Sequence, residues 1–437
     1  MTLDFYAYWN GAQVKDLFEA VAFITASGDF TGLLRLAALF GLLVTLTVGA
    51  LRFRGQESVS FFFATVLFYG VTVVPKADVA IADARAGTVH TVDGVPLGIA
   101  FLASGTSHIG HWLTEAFETA FADTEAERFS SFGMVFPQRA ITALLAAGPV
   151  TEDGRHLIGA FNRFCVTPEL VNDARKIEEL SSSANLWKTI SSAGWVNPAR
   201  QTELADGSWV SCEKAVALIE THLNTVEIAA IEKRLGLELI PDRVDPSATI
   251  ARVLPQAENL LLGLSQSLSA SLKHSIFINT LGEDIANTAA LSNAPLALAT
   301  KIAKAQASLA SEINYRTMAQ IAQEALPKIR NALEFIILAA FPLIAVMMIA
   351  MGHAAGLLLR HYLTLLIWVQ LWAPVCAVIN YLIVHVDAHP MNRIVAEFGA
   401  NSLMAAEMIR EMGASSQAIA GFLTILAPVI AFAIAKG

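Results

Sequence analysis

The sequence is poor in charge. Of its 437 residues, 15% are Asp, Glu, Lys or Arg and 55% are hydrophobic, whereas soluble domains usually carry about 25% charged residues. With a mean hydropathy of +0.54, that scarcity excludes an ordinary soluble globule. Basic runs are absent and the net charge is −9, which argues against nucleic-acid binding through a charged surface. No G-x-x-x-x-G-K-[ST] occurs, so a P-loop ATPase is excluded, and GxGxxG, HExxH, CxxC and GxSxG are missing too. The N-terminus, MTLDFYAYWNGAQVKDLFEAVAF, lacks the basic region of a signal peptide. Cysteine is scarce, with three in all. Internal repeats and low-complexity tracts are not evident. No catalytic constellation survives this survey, so the chain does not read as an enzyme and no cofactor is expected.

The charges that are present cluster. Residues 76–330 hold 21 Lys/Arg and 28 Asp/Glu, a net of −7, while the remainder consists of apolar blocks with short connections. Five segments reach the ~17–25 residues that a tilted helix needs to cross a bilayer: Gly32–Leu51, Val59–Pro75, Ala332–Gly352, His361–Val386 and Ala418–Ala435. The fold class expected is an all-α polytopic membrane protein, with five transmembrane helices and a large helical insertion between the second and third.

Orientation follows from basic residues in short loops. Arg52 and Arg54 join the first two spans, Arg360 precedes the fourth, and Lys436 follows the fifth. Residues 1–30 carry one Lys against four acids, and residues 387–417 carry two Arg against four acids. This pattern predicts an exported N-terminus, an exported insertion and a cytoplasmic C-terminus in a bacterial inner membrane. Residues 1–31 then form a periplasmic amphipathic tail, with Phe5, Tyr6, Tyr8 and Trp9 as an interfacial aromatic belt. Residues 32–75 form a two-helix hairpin, 76–330 the periplasmic helical domain, and 331–437 a three-helix region with a periplasmic loop at 387–417.

Cys165 and Cys212 lie in the insertion and Cys376 in the fourth span. An even pair in an exported segment fits a disulfide, and closing that loop would contribute about 4 kcal/mol in the chain-entropy model. The competing reading is two unrelated buried thiols. The stretch VDGVPLGIAFLASGTSHIGHWLTEAF has no formal charge between Asp93 and Glu115, long enough to cross. Its apolar positions, among them Ile109, Trp112, Leu113 and Phe117, nevertheless fall on one helical face. Ser104, Ser107, His108, His111, Glu115 and Glu118 occupy the other. That amphipathic pattern predicts a helix over 97–121 lying on the membrane surface or against partner helices, without crossing. His108, His111 and Glu115 have the spacing of a metal-binding face, but no fourth ligand is visible, and a polar stripe explains them as well.

Short extended pieces are expected around Lys76–Val95, and helices dominate thereafter. The Ala-rich stretch Leu296–Leu326 reads as a long helix leading through Pro327 into the third span. Polar residues inside the spans are Arg35, Glu334, Gln370 and Asn380. Arg35 and Glu334 lie near span ends, where they can snorkel, and Gln370 and Asn380 read as interhelical hydrogen bonders.

Several stretches resemble the N-terminal region of TraG-like mating-pair stabilisation proteins of F-type conjugation systems. They are VDGVPLGIAFLASGTSHIGHWLTEAFE, FNRFCVTPEL, DGSWVSCEKA, QLWAPVCAVINYL and IAGFLTILAPVIAFAIAKG. The resemblance covers most of the chain. It implies an inner-membrane subunit of a type IV secretion apparatus, acting in pilus assembly and mating-pair stabilisation. The implied partners are other secretion subunits, the lipid bilayer and further copies of the chain in a ring, a pentamer among the arrangements. The sequence stops at Gly437, where the family continues into a large C-terminal region, so recognition of an entry-exclusion partner is not expected of these residues. The reading from another class is a pore or transporter for a small solute or peptide.

Overall fold

The computed structural model describes residues 1–52, 63, 66–181, 183, 185–291, 325–351, 355–398 and 403–436. Its first element is a strand. β1 (Thr2–Ala7) pairs in parallel with β2 (Lys76–Asp83), which pairs antiparallel with β3 (Thr88–Pro96), giving the order β1-β2-β3. The alternation in KADVAIAD turns Ala77, Val79, Ile81 and Asp83 inward, as the two-residue strand period requires. A parallel β1–β2 pair needs a long crossover, and that crossover includes α1 (Gly11–Ala26) and α2 (Gly28–Arg52).

This sheet corrects two expectations. The fold is mostly helical rather than all-α, and the N-terminal aromatics do not form an exposed belt. Phe5 is fully buried and meets Phe18 of α1 edge-on, with ring centroids 5.8 Å apart. Tyr8 is buried as well, just beyond the strand. Strand pairing explains the difference: it sends Phe5 and Ala7 into the core and Tyr6 to the opposite face.

α3 (Leu97–Phe121) follows β3 directly. A helical domain comes next, whose members include α4 (Phe136–Leu145), α5 (Ile228–Leu239), α6 (Pro246–Leu262) and α7 (Leu268–Leu291). Side-chain caps set several helix starts: the Thr151 hydroxyl accepts from Gly154 N at 3.0 Å, and the Asp245 carboxylate from Ala248 N at 3.0 Å. The domain core gathers Phe136, Phe161, Trp187, Leu254 and Phe277. Within it Cys165 and Cys212 form a disulfide, with Cα atoms 5.8 Å apart.

Apart from α2, whose Gly28–Thr47 is long and apolar enough to cross a membrane, the membrane-type helices come last. α8 (Ala325–Ala339) and α9 (Phe341–Met351) meet at a bend of 42°, where Pro342 lacks the N–H that would carry the helix through. α10 (Ala355–Gln370) and α11 (Trp372–Phe398) run as one length over Ala355–Glu397, and α12 (Leu403–Lys436) returns. Among the described residues three helices are long and apolar enough to cross a membrane, or four if the bent pair is one span. The second expected span, Val59–Pro75, falls partly outside the described residues, and so does nearly all of Leu296–Leu326. The expected loop at 387–417 is helical over 387–398 and 403–417. Val384, Met391 and Ile394 of α11 join Ala405, Ala406 and Ile409 of α12 in the helical-domain core, so these helices continue past their apolar stretches and bind the domain to them.

One buried carboxyl makes that core pH-sensitive. Glu258 on α6 is 1% exposed, accepts from the Ser271 hydroxyl at 2.6 Å, and is pushed up to about 7 by burial. A raised carboxyl favours the protonated folded state, so stability falls as pH rises from about 4.5 to about 7 and is flat above. Glu258→Gln should remove this slope and stabilise the protein above pH 7 by up to about 3 kcal/mol. Thermal unfolding of the detergent-solubilised protein between pH 4.5 and 8 tests this; an unchanged slope would refute it.

Candidate functional site: a buried polar cluster between strand and membrane helices

Trp9, at φ 68°, turns the chain out of β1. Asp83 receives that turn. Its Oδ2 accepts from Gly11 N at 2.9 Å at the start of α1, and its Oδ1 accepts from Arg85 N and Ala86 N at 3.0 Å each. Asn10 is thereby held against α8. There its Nδ2 donates to Glu334 Oε2 at 2.7 Å. Arg330 lies one helical turn before Glu334 and pairs with it at 3.2 Å. Gln370, at the end of α10, completes the cluster: its Oε1 accepts from Arg330 at 3.1 Å and its Nε2 donates to Glu334 Oε1 at 2.7 Å. The Arg330 guanidinium also sits 5.4 Å from the centre of the Tyr8 ring, a favourable cation–π distance. Burial pushes the Tyr8 hydroxyl up to about 12, so it stays protonated, 3.3 Å from His111 Nδ1.

These charges are out of water: Glu334 is 0% exposed and Arg330 4%. Snorkelling, expected for Glu334 from its place near a span end, does not occur. Its carboxylate points into the protein because Asn10, Arg330 and Gln370 supply donors there. Arg35 by contrast is exposed on α2, beside Leu33 and Leu36.

A cavity of about 1200 Å³ adjoins the cluster, lined by residues that include Tyr8, Asn10, Arg85, Arg139, Arg330 and Trp372. Burial and the nearby Arg139 charge lower Arg85 to about 10. Neither Gln370 nor Asn380 lines this space. Asn380 is bonded to backbone instead: its Oδ1 accepts from Val135 N at 2.6 Å and its Nδ2 donates to Glu127 O at 2.7 Å. Val135 has φ 45°, a strained conformation for a β-branched residue, and the Asn380 amide helps hold it.

The helix over 97–121 forms, and its polar face divides: Ser104, Ser107, Thr114 and Glu118 are buried, His108 and Glu115 are exposed, and Ile109 is 49% and Trp112 66% exposed. Small residues explain the buried part. A Cβ on Gly110 would meet Gln370 O at 2.8 Å, and one on Gly98 would meet Thr72 Cβ at 2.6 Å, so the polar, small face is the one that fits against neighbouring backbone. Glu118 is satisfied there by Ser130, accepting from its N at 2.7 Å and its hydroxyl at 2.6 Å. Leu113 and Phe117 are half-buried, and Phe117 stacks on Phe121. His111 stacks on Tyr6 at 3.9 Å and pairs with Glu115 at 3.4 Å, while His108 bonds Ser104 O at 3.1 Å. Among the described residues no group of three or more His, Cys, Asp or Glu could hold a metal.

Sequence reasoning missed Asn10, Tyr8 and Arg330 as members of the cluster. The i,i+4 spacing of Arg330 and Glu334 is the one signal that could have found any of them; nothing local marks Asn10.

Apolar helices around an internal polar cluster define the class: a mostly helical membrane protein whose buried polar groups are engaged mainly with one another. Within that class, the chain belongs to the family described as TraG-like protein, N-terminal region, which matches residues 4–437. It is 21% identical over 448 residues to Protein TraG of Escherichia coli (strain K12), covering 99% of this chain and 45% of that protein. The chain thus spans about half the length of the curated relative it matches. No solved structure matches.

Removing one partner of a buried ion pair leaves an uncompensated charge, whereas replacing both with apolar groups is often close to neutral. Glu334→Ala should therefore destabilise the protein by roughly 3–5 kcal/mol, and Arg330→Met combined with Glu334→Leu should recover most of that loss. Thermal unfolding in detergent distinguishes the two variants, and equal losses would show that the pair is not the source of the effect.

Proposed function

We propose that the chain is an inner-membrane structural subunit of a conjugative type IV secretion system, acting through protein contacts in pilus assembly and mating-pair stabilisation. The observation that carries this reading is the family match over residues 4–437. It agrees with a polar cluster whose groups hold chain segments together. In this reading the disulfide-tied helical domain faces the periplasm, where an oxidising environment preserves the Cys165–Cys212 bond. The partners are other secretion subunits, and copies of the chain assemble in a ring around the transfer path.

A small-solute pore is the competing reading. Its expected mark is a polar cavity lined by Gln370 and Asn380; neither lines the cavity described above, Gln370 being bonded to Glu334 and Asn380 to Glu127 O.

Deleting the gene from a donor cell should lower DNA transfer by orders of magnitude and remove surface pili, with both restored by the gene in trans. Transfer at the undiminished level would overturn the reading. Electron microscopy of the purified chain should show a multi-subunit ring, whereas a monomer that conducts solutes in liposomes would favour the pore.

A further inference from the structure

We propose that the cavity between the helical domain and the membrane-type helices binds one anionic phospholipid, with its phosphate beside Arg85 and Arg139 and its acyl chains along α8, α11 and α12.

The cavity has a charged side and an apolar side. Charged residues come from segments outside the membrane-type helices: Arg85 beyond β2, Arg139 on α4, and Glu238 and Asp242 at and beyond the end of α5. Opposite in character are Trp372, Ala373 and Cys376 of α11 and Ala427 of α12. α8 shows the change along a single helix. Lys328 and Asn331 line the cavity first, then Phe335 and Ile336, and Lys328 to Ile336 is about 12 Å at 1.5 Å per residue. Phe335 is 38% and Ile336 62% exposed, so the cavity reaches the apolar outer surface of α8. At about 1200 Å³ it exceeds the roughly 300–1,000 Å³ of ordinary small-molecule sites, which suits a head group together with part of its chains.

Charge selects the head group. Glu238 and Asp242 are exposed, where salt and water screen them, and Glu334 already takes the charge of Arg330. Arg85 and Arg139 are half-buried, and burial and the Arg139 charge together lower Arg85, so two guanidiniums lie near each other partly out of water. Asp242 approaches Arg85 only to 3.8 Å, too far for a hydrogen bond. A phosphodiester between the guanidiniums offsets their repulsion and accepts in the bidentate geometry that arginine favours. The wall is also short of acceptors: among the described residues, Nε of Arg85 and Arg330 and Nε1 of Trp9 and Trp372 have no hydrogen-bond partner. A phospholipid brings phosphate and ester oxygens to this donor-rich lining, and its chains meet the apolar side. An anion without chains would leave that apolar side against water, which is unfavourable.

Native mass spectrometry of the delipidated full chain in detergent tests this, with phosphatidylglycerol, phosphatidylethanolamine and sn-glycerol 3-phosphate as probes. One phosphatidylglycerol per chain should be held about tenfold more tightly than phosphatidylethanolamine, the equivalent of one hydrogen bond to a charged group. Arg85→Gln combined with Arg139→Gln should abolish that preference, while Arg35→Gln, at an exposed residue of α2, should keep it. Equal retention of the two lipids would overturn the proposal. So would sn-glycerol 3-phosphate binding as tightly as the lipid, which would mark a site for free phosphates. An independent measurement uses the unaltered chain and phosphatidylglycerol carrying a photoreactive diazirine midway along one acyl chain. Cross-links should reach Ala373, Cys376 or Ala427, all buried from the outer surface. Cross-links confined to outward residues such as Leu39 and Phe40 of α2 would overturn it, whatever the variants do.

Discussion

The constraint on which the rest of the structure depends is the desolvated pair Arg330–Glu334. Two charges inside a protein must be matched by hydrogen-bonding partners or they are strongly destabilising. Here the partners come from distant parts of the chain: Asn10 follows the first strand, and Gln370 ends α10. Meeting that demand ties the sheet, α8 and α10 together in a single arrangement. Paired charges of this kind contribute little net stability against an apolar replacement. Their consequence is register, because sliding any of the three segments by a turn would leave a charge unmatched.

Around that cluster, close approach is achieved by subtraction. Gly98 and Gly110 let α3 reach neighbouring backbone where any side chain would collide. Asn380 performs a related task at the other end of the membrane helices, gripping Val135 N and Glu127 O so that the loop entering the helical domain is fastened to α11. The disulfide and the extended ends of α11 and α12 bind that domain further, and it is attached to the membrane helices through shared core as well as through covalent connections.

Much of this was legible in the sequence. Apolar length alone marks α2, α11 and the end of α12 as membrane helices. The cysteine pairing, one of two readings the sequence leaves open, is the one the structure has. Other features were misread for identifiable reasons. TLDFYA looks like an interfacial belt because aromatic residues at a terminus serve either role, and what decides is β2, some seventy residues on. Periodicity alone gives the faces of α3, and what turns Ser104, Ser107 and Gly110 inward is the close approach of neighbouring backbone. Glu334 was placed at a span end by counting, without knowledge of which way its side chain faces.

The sequence by itself determined that this chain carries membrane-type helices and a polar portion, because charge density and apolar length are properties of composition and need no partner. It also determined the family, through the order of several weak motifs. Only the tertiary structure decided which polar residues meet, which face of α3 turns inward, and that the first strand closes onto the membrane helices. Those outcomes depend on contacts between Asn10 and Glu334, or Gly110 and Gln370, that lie hundreds of residues apart, and no local pattern encodes the identity of a partner at that distance.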